Sequence, residues 1–227
     1  MDLKEHIRAA ALELGFARAG FAPVTPLPHG GFYQRWLDRG YAGGMTYLAR
    51  APRARAHPSA LMSEARSALV VLAAHPWQAD PAPAPGQGRV ARYAWGLDYH
   101  GVIRETLELL ARQVEAWTGA PLPRRLAVDT SPLLERELAV AAGLGFIGKN
   151  AMLITPGLGS YTLIGAMLLP LEFSPDSPIP TRCGRCTRCL DACPSAALRA
   201  PRLLDARRCV SYLTIEHRGE IPDSLAG

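Results

Sequence analysis

Apolar residues at Leu3, Ile7, Ala10, Ala11 and Leu14 recur at the spacing of one helix face, and Gly15 follows as a stop, so the pattern predicts an amphipathic first helix. A short apolar run over 16–24 leads through a loop rich in Pro and Gly to a second predicted helix near 33–39. Residues 67–74, SALVVLAA, form an unbroken apolar run of the length expected for a strand covered on both faces. The text DPAPAPGQG at 80–88 predicts a surface loop, because its prolines lack donors and its glycines favour turns. Over 99–118 the positions Ile103, Leu107, Leu110, Val114 and Trp117 trace one stripe of a long helix facing the core.

The second half continues the alternation. Residues 124–129 predict a strand, and Ser131 with Pro132 reads as the cap and first position of a helix to about 144. Asp129 then falls where a strand ends and a helix begins, a position an acidic residue takes as a cap. Apolar runs at 152–155 and 161–169 bracket the turn PGLGS and predict a hairpin. After Leu171 the composition shifts to Pro, Ser, Cys and Arg, which places a boundary near 174 between a domain of 1–173 and a module of 174–227. No internal repeat or long heptad is present. The expected class is α+β: a mixed α/β domain followed by a ferredoxin-like iron–sulfur domain.

Charge changes this picture little. The net charge of +5 is carried almost wholly by arginine, with Lys4 and Lys149 the only lysines, and it fits a GC-rich genome as well as a phosphate-binding surface. The N-terminal text MDLKEHIRAAALELG has neither the pattern of a secretory signal nor that of a membrane span, so a cytoplasmic protein without membrane contact is expected.

The candidate chemistry lies in the cysteines, all five of which stand between Cys183 and Cys209. An odd number in so short a stretch suits metal ligands better than structural disulfides. Cys183, Cys186, Cys189 and Cys193, followed by Pro194, spell CxxCxxCxxxCP, the bacterial ferredoxin run. Three thiolates in a tight loop can reach three corners of one 4Fe-4S cubane. The fourth is expected on a short helix pointing away, where in two-cluster ferredoxins it serves the other cluster. A structural zinc site is the competing reading. Cys209 reads as a further ligand or as a buried apolar residue.

Four stretches taken together resemble the epoxyqueuosine reductase family: RYAWGLDYH at 92–100, VDTSPLLERELAVAAGLGFIGKN at 128–150, the cysteine run, and CVSYLTIEHRGEIP at 209–222. The resemblance implies cobalamin bound by the first domain and two 4Fe-4S clusters in the second. It implies reductive removal of the epoxide oxygen of epoxyqueuosine in tRNA, giving queuosine. The partners it implies are tRNA carrying epoxyqueuosine and a low-potential electron donor such as flavodoxin or ferredoxin; a monomer is expected. Asp129 takes the place of the family's general acid, and burial beside the corrin and substrate is expected to raise its pKa. Arg53, Tyr93, His100, Lys149, Asn150 and Ser211 are the candidate cobalamin contacts beside Asp129, while Arg207, Arg208 and Arg218 are candidates for RNA phosphate. Family members carry further cysteines beyond the point where this chain stops, so a shortened or inactive member is an alternative reading. A ferredoxin-like electron carrier is another, and so is a reductive dehalogenase, which typically carries a twin-arginine export signal that is lacking here.

Overall fold

The alternation of faces in SALVVLAA organises the molecule. In the computed structural model, which describes residues 2–75 and 84–225, this run is strand β2 (Ser67–Ala74), flanked by β1 (Arg18–Pro23) and β6 (Thr162–Leu169). Strand β3 (Arg125–Val128) completes an antiparallel sheet of order β1-β2-β6-β3. Successive side chains of a strand point to opposite faces. Leu69 and Val71 therefore join one core, with Ile7 of helix α1 (Leu3–Glu13) and Leu107 and Leu110 of helix α4 (Tyr99–Thr118). Val70 and Leu72 join the other, with Leu138 and Ala139 of helix α5 (Glu135–Ala141). Each of these fully buried Val, Leu and Ile side chains contributes about 1.5–3 kcal/mol by leaving water. The layering is thus helix, sheet, helix. A Cβ at Gly165 of β6 would lie 2.6 Å from Ile103, so the absent side chain is what lets α4 approach the sheet.

Two short helices, α2 (Gly30–Asp38) and α3 (Pro52–Arg55), fill the connection from β1 to β2. The predicted loop at 80–88 lies partly outside the described residues, since 80–83 are not among them. Two expectations are corrected. The predicted hairpin of 152–155 with 161–169 does not form, because both edges of β6 are taken by β2 and β3. Strand β5 (Leu153–Ile154) pairs instead with β4 (Phe146–Ile147), leaving one isolated bridge, Thr155 to Gly159. The helix predicted from Ser131 begins only at Glu135 and ends at Ala141. Leu133 is buried, and the Leu134 amide donates to the Arg55 carbonyl at 2.9 Å, so tertiary packing holds 131–134 in turns that the helix cannot share.

Beyond β6 the chain is stapled back onto β1. Asp176 accepts from Lys4 at 2.8 Å, from Arg8 at 3.0 Å and from the Phe21 amide at 2.8 Å, and its own amide donates to the Phe21 carbonyl. The cysteine-bearing segment follows, with helix α6 (Arg188–Asp191), the strand pair β7 (Leu198–Ala200) and β8 (Leu203–Leu204), and a π-helical turn at Tyr212–Glu216. It docks on α2 and the loop after it: the Trp36 indole donates to the Leu204 carbonyl at 2.6 Å, and the Tyr212 hydroxyl accepts from the Gly44 amide at 2.8 Å.

Candidate active site and cysteine module

Asp129 follows β3 in the left-handed region, at φ 52°, a conformation that Asp tolerates better than most residues. The turn sets its carboxylate against the start of α4. Tyr99 donates its hydroxyl to Asp129 Oδ2 at 2.9 Å, and His100 Nε2 lies 3.2 Å from the same oxygen. The other ring nitrogen of His100 sits 2.7 Å from Asp98 Oδ1, and Asp98 also caps α4 by accepting from the His100 amide. One helix start thus supplies three of the four groups, and all three lie in the stretch RYAWGLDYH. Tyr93 stands edge-on to Tyr99, with ring centroids 6.2 Å apart.

The electrostatics assign roles. Burial alone would lower the His100 pKa, but the carboxylates of Asp98 and Asp129 outweigh it and hold it above the usual histidine value. Burial, then the Asp129 charge, drives the Tyr99 phenol far above its ordinary value, so it stays a hydrogen-bond donor at physiological pH. The burial expected for Asp129 falls on another group. The Asp129 side chain is 61% exposed. Glu135 behind it is the buried carboxyl, with Oε1 lacking a partner among the described residues, and burial followed by the Asp129 charge pushes its pKa up to about 8. With α5 beginning only at Glu135, Asp129 is also not at that helix's N-terminus. Sequence reasoning singled out neither Tyr99 nor Glu135, although both lie inside the motifs it quoted.

The remaining candidate cofactor contacts separate. Asn150 turns its Oδ1 to the Met152 amide at 3.2 Å, while Arg53 is exposed on α3 and Ser211 is exposed just before the π-helical turn. Lys149 points to the cysteine loop, donating to the carbonyls of Gly184 and Cys186, both at 2.9 Å. Tyr47, whose phenol donates to Glu216 at 3.0 Å, links that C-terminal turn to the neighbourhood of Asp129. Its pKa is pushed up to about 12 by burial, by Glu216 and by the Asp129 charge. Of the arginines named for phosphate, Arg207 pairs with Asp205 at 2.8 Å and Arg208 donates to the Ser195 carbonyl at 2.9 Å; Arg218 is exposed.

All five cysteines are free thiols. The Cys186 amide donates to the Cys183 carbonyl at 3.0 Å, closing the first turn of the loop. Helix α6 carries Cys189, and Cys193 follows it, so the short helix expected to carry Cys193 carries its predecessor instead. Burial opposes ionisation of Cys193, yet amides of Leu198, Ala197 and Ser195 aimed at its sulfur lower its pKa, the environment a thiolate ligand needs. The Arg208 bond to Ser195 ties the Cys209 segment beside Cys193. Among the described residues no three His, Cys, Asp or Glu side chains converge on a point that a single ion could fill. A cubane asks for something different, one thiolate at each iron, and the donor set here is of that kind.

Comparison with known proteins decides the family. Residues 55–130, which include Tyr99, His100 and Asp129, match the family "Epoxyqueuosine reductase QueG, DUF1730", and residues 182–227 match "4Fe-4S double cluster binding domain". The epoxyqueuosine reductase of Gloeobacter violaceus is 44% identical over 225 residues, which are 97% of this chain and 69% of that protein. The chain belongs to the epoxyqueuosine reductase family. The Pseudomonas aeruginosa member is 39% identical, covering 98% of this chain and 63% of its own length. A solved epoxyqueuosine reductase with an epoxyqueuosine-modified tRNA-Tyr stem loop superposes with a TM-score of 0.90 at 35% identity, over 97% of this chain and 59% of that one. The Bacillus subtilis enzyme, seen with its catalytic aspartate loop swung out of the active site, superposes at 0.85 and 33%, over 98% and 60%. The chain therefore spans about three fifths to two thirds of the length of these relatives. Among the described residues no helix is long and apolar enough to cross a membrane.

Proposed function

We propose that this chain carries the catalytic centre and part of the electron path of an enzyme that removes the epoxide oxygen of epoxyqueuosine in tRNA. The observation that carries the reading is the Asp129, Tyr99 and His100 constellation, open to solvent, in a molecule whose cysteine module packs against the same domain. Family membership points the same way, as does the relative solved with an epoxyqueuosine-modified stem loop.

In this reading Asp129 is the group through which a proton reaches the departing oxygen. Tyr99 and His100 fix its Oδ2 from two sides, and His100, with its raised pKa, keeps 3.2 Å away the proton that Asp129 passes on. Proton supply then needs no deep burial of Asp129. The open rim, with Tyr93 at its edge and the unpartnered Glu135 oxygen behind it, suits a large flat cofactor that would cover it. Cobalamin, when bound there, would supply the reducing metal centre, and Tyr93, His100 and Asp129 would hold it. The cysteines Cys183, Cys186, Cys189, Cys193 and Cys209 would hold 4Fe-4S iron and pass single electrons from a low-potential donor. Exposed arginines such as Arg218 would meet the tRNA phosphates, and the modified base would leave its loop stack to reach Asp129.

The test is anaerobic reconstitution with iron, sulfide and cobalamin, with visible spectra, metal analysis and turnover of tRNA bearing epoxyqueuosine. Cobalamin and cluster uptake with conversion to queuosine is expected. Asp129→Asn should keep cobalamin bound and abolish turnover. Clusters without corrinoid affinity would make the chain an electron carrier, and full activity in Asp129→Asn would remove that residue from the reaction.

A further inference from the structure

Lys149 is one of two lysines in the chain, and its ammonium reaches across from the GKN turn to the cysteine loop. The turn that carries it is fixed independently: the Arg202 amide donates to the Lys149 carbonyl at 2.8 Å, and Arg202 Nε donates to the Ile147 carbonyl at 3.2 Å. The two carbonyls it grips, Gly184 and Cys186, alternate along CxxCxxC and so face the same side. In a trans peptide the N–H points opposite to the C=O. The N–H groups that share those peptide units, those of Arg185 and Thr187, therefore point away from Lys149. Neither donates to another protein group among the described residues, whereas the Cys186 amide between them is consumed by the turn to Cys183. Two free donors and a cation behind them are the two features that raise the potential of a thiolate-bound cluster and favour its reduced form.

We propose that Lys149 is a positioning residue of the cysteine loop: it turns the Arg185 and Thr187 amides toward the sulfur side and thereby both orders the loop and sets its affinity for an electron. The inference deepens the proposed function by naming what tunes the electron path. Its first readout needs neither metal nor substrate.

Hydrogen exchange over residues 183–190 in the full chain compares wild type with Lys149→Met and Lys149→Arg. Losing two charge-assisted bonds should speed exchange of the Cys186 amide by about fivefold to tenfold in Lys149→Met, with Lys149→Arg close to wild type. After anaerobic reconstitution, Lys149→Met should show a cluster potential shifted to lower values, with a tenfold loss in the reduction constant corresponding to about 59 mV for one electron. Exchange in Lys149→Met equal to wild type would overturn the proposal, as would faster exchange with an unshifted potential. Should no cluster assemble in the wild type, the proposed function fails while the exchange measurement still decides the role of Lys149.

Discussion

Replacing Asp176 by Ala removes the staple that returns the chain to β1 ahead of the cysteine run. The carboxylate is 24% exposed and accepts from three donors: Lys4, whose side chain is 12% exposed, Arg8, and the Phe21 amide. A hydrogen bond to a charged group is worth about 1.5–3 kcal/mol, and partial exposure screens part of that, so the loss is about 2–4 kcal/mol. For a chain of this length each kcal/mol moves Tm by about 2–4 °C, which gives a drop of roughly 4–16 °C. The pH dependence is a separate check. Burial pushes the Asp176 pKa up, but the bonds from Arg8, Lys4 and the Phe21 amide outweigh it and hold it below the ordinary carboxylate value. Its stabilisation is therefore present above the unfolded value, about 3.9, and is lost as pH falls through the lower folded one. Thermal and urea unfolding of wild type, Asp176→Ala and Asp176→Asn from pH 3 to 7 measures both effects. A cost under about 0.5 kcal/mol at pH 7, or a difference between wild type and Asp176→Asn that does not shrink below pH 4, would refute the reasoning.

Three further outcomes are expected. Glu135→Gln should stabilise the fold by about 1–3 kcal/mol at pH 8, because a carboxyl whose folded pKa is raised to about 8 loses stability as pH rises from the unfolded value through the folded one; urea titrations at pH 5 and 8 should show the larger gain at the higher pH. Gly165→Ala should cost about 1–3 kcal/mol, since the new methyl meets Ile103 Cγ2 at 2.6 Å and Val71 Cγ2 at 3.1 Å; in an Ile103→Ala background, which lacks that Cγ2, the same change should cost less in chemical denaturation. Tyr99→Phe should leave the fold intact and lower turnover of the reconstituted enzyme, because Asp129 Oδ2 then keeps only His100 as a neighbour in this constellation; a kcat equal to wild type would place Tyr99 outside the reaction.

Much of the architecture was legible before any coordinate. The long stripe of Ile103, Leu107, Leu110 and Val114 specified α4, and SALVVLAA specified a central strand, because burial on a fixed period leaves a local trace. The ferredoxin spacing likewise named the cysteine chemistry, since thiolates around one cluster must be close in sequence to share a loop. The motifs around Asp129 pointed to the stretch where Asp129, Tyr99 and His100 meet. What the text could not hold was decided by partners distant along the chain. Residues 152–155 carry a hairpin pattern, but β2 and β3 had already taken both edges of β6. Ser131 and Pro132 carry a helix start, but the Arg55 carbonyl and the burial of Leu133 delay it to Glu135. Lys149 reads like any turn lysine until the fold sets it 2.9 Å from two carbonyls 35 and 37 residues away. Which carboxyl is buried and which stays open was likewise settled in space: Asp129 and Glu135 lie six positions apart in one motif, and only packing places one at the surface and the other beneath it. Periodicity and ligand spacing are local and can be read from a string, whereas hydrogen-bond competition and desolvation depend on groups that meet only when the chain has closed on itself.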